Sequence, residues 1–74
     1  MVLSPGEVFE HTHHGESTTT LIEGSVDLFV EGSRQALVAG LPTPVPARVS
    51  HVLVNTGVTP AIVECAHRND GIPS

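Results

Sequence analysis

Seventy-four residues amount to one domain at most, and a chain this short buries only about 60% of the surface that its unfolded form exposes. Eight Asp and Glu against three Arg and no Lys give a net charge of −5. That balance repels nucleic-acid phosphates and anionic lipid, and the absence of lysine excludes Schiff-base chemistry and a phosphate-loop lysine. Cys65 is the only cysteine, so no internal disulfide can stabilise the domain, and a metal, a second subunit or both are the available staples.

Residues 1 to 15 lack the charged start and long apolar run of a signal peptide, and no apolar stretch is long enough to cross a bilayer. The expectation is a cytoplasmic protein with no membrane and no nucleic-acid partner. The lone thiol agrees with a reducing compartment.

Ser4-Pro5-Gly6 reads as a turn, and Glu7 to His13 then alternates, with Phe9, His11 and His13 on one face and Val8, Glu10 and Thr12 on the other. Ser17 to Ile22 is rich in Thr and β-branched residues, Glu23-Gly24 is a turn, and Val26, Leu28 and Val30 alternate with Asp27, Phe29 and Glu31. Glu31-Gly32-Ser33 is a second turn and Gln35 to Ala39 a short strand. Gly40 to Pro46 reads as a loop whose three prolines forbid a helix. Val49 to Asn55 alternates again with Val49, His51 and Leu53 on one face, and Asn55-Thr56-Gly57 closes the strand. Ala61 to His67 is the last strand and 68–74 a polar tail. Short strands at roughly eight- to twelve-residue spacing, with no helical period, make residues 1–74 a single all-β domain, a sandwich or a barrel.

Two histidines at i and i+2 on a strand project to one side with Cβ atoms about 7 Å apart, close enough to share an ion. His51, on the apolar-flanked face of its own strand, is the candidate third ligand to His11 and His13. His14, one step out of phase, should face solvent. Phe9 shares the histidine face and should line a pocket floor; Phe29 falls out of phase with its apolar neighbours and suits a subunit contact. Cys65 and His67 share a phase, so each could reach a pocket, although a buried strand cysteine and a tail histidine are the plainer readings. Arg48, beside the site in sequence, could hold a substrate carboxylate in bidentate fashion or simply be an exposed loop residue.

The spacing resembles the cupin superfamily. Its second motif, Gly-x5-Pro-x-Gly-x2-His-x3-Asn, is matched by Gly40, Pro46, His51 and Asn55, with Arg48 where the last glycine usually stands. In its first motif Gly6, His11, His13 and Gly24 correspond, Gly6 lying one residue closer to His11 than usual. The resemblance covers about residues 5 to 66 (motif one about 6–24, motif two about 40–55). It implies a small jelly-roll barrel, a double-stranded β-helix shortened at its N-terminus, with one divalent transition metal (Fe, Mn, Ni, Cu or Zn) that ligand type alone does not distinguish. The family's glutamate ligand falls at Ser17 here, and Glu16 sits one residue early. A β-bulge at Gly15 would bring Glu16 inward; without it the site has three histidines, as in the cysteine dioxygenase and diketone-cleaving branches, and the Ser17 hydroxyl could bond a metal-bound water.

These features lead to the expectation of a metal-dependent enzyme of oxygenase, isomerase or lyase type, acting on a small chelating molecule. The alternative is a regulatory module binding a metal or small ligand, since His-Thr-His-His-Gly-Glu also resembles the zinc-holding cupin domain of some anti-sigma factors. A third reading keeps the fold without a metal. Because only Met1 to Pro5 precede the first motif, a homodimer in which a partner covers the exposed sheet is expected.

Overall fold

A computed structural model describes residues 1–12 and 14–67. Eight strands run in chain order: β1 (Val2–Leu3), β2 (Val8–His11), β3 (Ser17–Glu23), β4 (Val26–Val30), β5 (Ser33–Ala36), β6 (Thr43–Val45), β7 (His51–Asn55) and β8 (Ala61–His67). They form two four-stranded antiparallel sheets, ordered β1-β8-β3-β6 and β2-β7-β4-β5. No helix occurs among the described residues, and none is long and apolar enough to cross a membrane.

Alternation decides which side chains meet between the sheets. Phe9, Leu53 and Leu28 form one inward row across β2, β7 and β4, with Val26 and Asn55 on the next. From the other sheet Leu3, Leu21, Ala61 and Val63 complete an apolar plug, each nearly inaccessible to solvent. Burying each of the Leu and Val side chains contributes about 1.5–3 kcal/mol. The same period places the polar inward residues toward one end of the molecule: His11 at the end of β2, His51 at the start of β7, and Ser17, Thr19 and Thr43 on β3 and β6.

Several boundaries differ from the sequence reading. Strand β2 ends at His11 rather than His13, and His13 lies outside the described residues, as does the tail from 68 to 74. Strand β7 begins at His51 rather than Val49, because Arg48 takes a left-handed backbone (φ 60°) that breaks the extended run. The proline segment expected as a loop contains β6. Edge position makes this possible: Pro44, exposed, pairs with Thr18 on β3 while its other side has no neighbouring strand to supply with an N–H. Strand β5 comes earlier than the Gln35 to Ala39 expected, since Ser33 already pairs with Val30.

That pairing leaves Glu31 (φ 50°) and Gly32 (φ 82°) as a two-residue turn with both central residues left-handed, the type I′ geometry that suits a twisted hairpin. Glycine accepts this backbone and glutamate does not favour it. Glu31→Asn is expected to stabilise the domain by about 0.5 kcal/mol, seen as a rise in Tm of about 2–4 °C. An unchanged or lower Tm counts against the turn assignment.

Candidate functional site

His11 and His51 are directly opposite each other in the β2–β7 ladder. Their ring centroids lie 6.0 Å apart with an interplanar angle of 87°. Phe9, two residues before His11 and therefore on the same face, stacks on its ring at 5.6 Å and 30°. His51 is fully buried. Burial pushes its pKa down, opposed by a hydrogen bond with the Val49 backbone and reinforced by the nearby His11. The imidazole is therefore held neutral at pH 7, the form that donates a lone pair to a metal.

The facing sheet contributes hydroxyls. Ser17 is 3% exposed and Thr19 fully buried, and Thr43 pairs with Thr19 across β6 and β3. Ser17 Oγ is buried with no hydrogen-bond partner among the described residues. Cys65, half-buried rather than fully enclosed, lies across from Thr19 with its Sγ 4.0 Å from Thr19 Oγ1. His67 is the last residue of β8 and pairs in register with Ser17.

Strand phase sets Glu16 and Ser17 on different sides. Strand β3 starts at Ser17, which faces inward, and Glu16 is exposed. The irregularity in β3 comes at Leu21/Glu23, not at Gly15. His14, in a bend beyond the end of β2, is exposed, and Arg48 is exposed on the loop before β7. Thr19 and Thr43 were not singled out from the sequence; Thr43 is hidden among prolines, whereas the alternation of Ser17, Thr19 and Leu21 did contain the signal for Thr19.

The donor chemistry suits a divalent first-row ion: two imidazoles on adjacent strands, one of them buried and neutral, with a buried hydroxyl of unfilled hydrogen-bonding capacity on the facing sheet. Among the described residues no three His, Cys, Asp or Glu side chains converge, and His13 lies outside them.

Asn55 closes the opposite end of the fold. Its Nδ2 donates to the carbonyls of Leu3 and Thr59, each at 2.9 Å, and its Oδ1 accepts from the Gly57 N–H at 2.8 Å. One buried side chain thus ties β1, β7 and the β7–β8 connection together.

Residues 1–67 match the family model described as "Cupin domain". Among solved structures, the TT1209 protein from Thermus thermophilus is similar with 29% identity and a TM-score of 0.74, covering 92% of this chain and 69% of that one. A cupin domain of an XRE-family transcriptional regulator from Enterobacter cloacae superposes with a TM-score of 0.78 at 19% identity, covering 92% and 76%. A predicted oxalate decarboxylase from Thermotoga maritima gives 0.72 at 24% identity, covering 89% and 61%, so this chain spans less than two-thirds of that protein. A comparison with curated proteins gives no match.

Proposed function

Because the chain belongs to the cupin family, we propose that it holds one divalent transition metal (Fe, Mn, Ni, Cu or Zn) through His11, His13 and His51 and acts as a metal-dependent enzyme on a small chelating molecule. The observation that carries the reading is the cross-strand pair of His11 and His51, with His51 enclosed and neutral. A bound ion of this class supplies Lewis acidity and, for Fe, Mn, Ni or Cu, redox capacity, the chemistry that oxygenase, isomerase or lyase reactions require.

The chain's own residues supply binding and orientation. Phe9 stacks against one face of the His11 ring. The hydroxyls of Ser17, Thr19 and Thr43 line the facing sheet, where Ser17 Oγ is free to bond a small polar ligand. Exposed Arg48 offers a guanidinium to a substrate carboxylate on the loop leading into β7. Cys65 and His67 stand at the same end of β8, the former against Thr19.

Metal analysis of purified protein tests the reading. About one equivalent of a transition metal is expected in the parent protein, falling below about a tenth in His11→Ala and in His51→Ala. Less than that tenth in the parent, with uptake in His11→Ala unchanged, overturns it. Oxygen-uptake assays with diketones, thiols and hydroxy acids then separate enzyme from regulatory module, a second reading favoured by the similarity to the regulator's cupin domain. Redox-inert zinc without turnover would select that second reading.

A further inference from the structure

At the histidine end of the molecule the inner face of β3 carries hydroxyls, and β8 brings the chain's single thiol beside them. Thr19 pairs in register with Cys65 on β8 and with Thr43 on β6, so a thiol and two hydroxyls form one row across three strands. Cys65 Sγ lies 4.0 Å from Thr19 Oγ1. Ser17, two residues back along the same face of β3, is 3% exposed, and its Oγ has no hydrogen-bond partner among the described residues. On the other side of the row the next pair on these two strands is Leu21 and Val63, both buried and apolar. Cys65 therefore stands at a boundary, packed against the apolar core yet bordered by hydroxyls, and it is half-buried rather than enclosed. Because Ser17 pairs with His67, it is the diagonal neighbour of Cys65 on this face. Such neighbours are about 7–8 Å apart, a span that Sγ and Oγ leave open and that one further oxygen on the sulfur would bridge.

We propose that Cys65 is a site of reversible oxidation, at which a hydroperoxide converts the thiol to a sulfenic acid held by the hydroxyls of Ser17 and Thr19. The step is a displacement on oxygen. The sulfur forms an S–O bond, the peroxide O–O bond breaks, and the departing hydroxide takes the thiol proton and leaves as water. Sulfur gives up an electron pair, and the peroxide is reduced by it. A half-buried side chain admits so small an oxidant. The product is both donor and acceptor, and burying such a group without partners is costly. Here Thr19 Oγ1 is already in place and Ser17 Oγ has unfilled capacity, so the added oxygen gains partners that the apolar rows beyond would not supply. Cys65 is the only cysteine in the sequence, so no neighbouring thiol of the chain condenses with the sulfenic acid. Its return uses an external dithiol, which restores the Cys65 thiol, leaves as its own disulfide and releases water. The modification requires no metal and is independent of the function proposed above.

Trapping with dimedone, which reacts with sulfenic acids and not with thiols, tests the proposal on the full chain as purified, treated with hydrogen peroxide and read by intact mass and peptide mapping. One adduct at Cys65 is expected. It should be absent from Cys65→Ser, and a dithiol added before the dimedone should abolish it and return the unmodified mass. Ser17→Ala is expected to lower the trapped fraction at least about threefold and to raise sulfinic acid at the same dose, because the first oxygen has lost a partner. Thr19→Val should act in the same direction, and Thr19→Ser, which keeps the hydroxyl, should behave as the parent. Circular dichroism matching that of the parent shows which variants fold, and either hydroxyl-free variant suffices. A chelator-treated sample run in parallel should trap equally, which separates this result from that of the metal site. The proposal is overturned if the folded parent yields no adduct at Cys65, if it passes to sulfinic acid without a trappable stage, if the folded hydroxyl-free variants trap as much as the parent, or if trapping disappears with the chelator.

Discussion

Asn55→Ala is expected to lower stability by about 3 kcal/mol, with a fall in Tm of about 12–20 °C. The side chain is 2% exposed and makes three hydrogen bonds, two to carbonyls and one from an amide. Alanine leaves the Leu3 carbonyl buried without this donor, and an orphaned buried group costs about 1–3 kcal/mol. A domain of this length is held by only about 4–11 kcal/mol in total, so the change removes a large part of its margin. Asn55→Asp retains the acceptor for Gly57 but turns a donor into a carboxylate facing two carbonyls, so it should destabilise as well. The loss should be felt first where β1 meets β8. The Val63 N–H donates to the Met1 carbonyl at 2.9 Å, and its amide exchange should speed up more than that of Leu28 in β4. Urea denaturation checks the total; a shift below about 1 kcal/mol would mean that water replaces the side chain at little cost.

Gly24→Ala is expected to cost about as much, for a different reason. Gly24 lies between β3 and β4 with φ +99°, and a Cβ there would come within 2.8 Å of both Cα and Cβ of Ala61 and 3.3 Å of the Pro60 carbonyl. Two effects combine: about 1–2 kcal/mol for a side chain in a left-handed backbone, and about 1–3 kcal/mol for forcing apart a packed contact. Ala61 is itself fully buried, so it cannot yield without moving β8. Gly40→Ala separates the two effects, because Gly40 has φ +81° and open space where its Cβ would stand. Thermal unfolding should show Gly40→Ala with a small loss and Gly24→Ala with a loss at least twice as large. Equal losses would show that the approach of the turn to Ala61 relaxes easily.

The structure and the comparisons bear out an all-β cupin domain. Alternation is a local property with period two, and it is enough to place Phe9 and His11 on one face, to send Phe29 outward and to enclose His51. The segments that resisted reading were those defined by partners. Val2–Leu3 is too short to show any period and is a strand only because β8 lies beside it. Thr43–Val45 is masked by its prolines and is a strand because β3 needs an edge neighbour. Arg48 shows the same dependence: it adopts the left-handed backbone for which the family pattern has glycine, and the strand expected from Val49 starts at His51.

By itself, then, the sequence determined the β-strand class, the direction in which most side chains point, and which imidazoles were candidates to share an ion. Register decided the rest. Only strand pairing puts His11 opposite His51 across 40 residues of chain, turns Ser17 inward while Glu16 stays in solvent, and lets one asparagine clasp Leu3, Thr59 and Gly57. The physical reason is that side-chain direction follows from the backbone of a single strand, whereas proximity between strands is set by hydrogen bonds and burial contributed by residues distant in the chain.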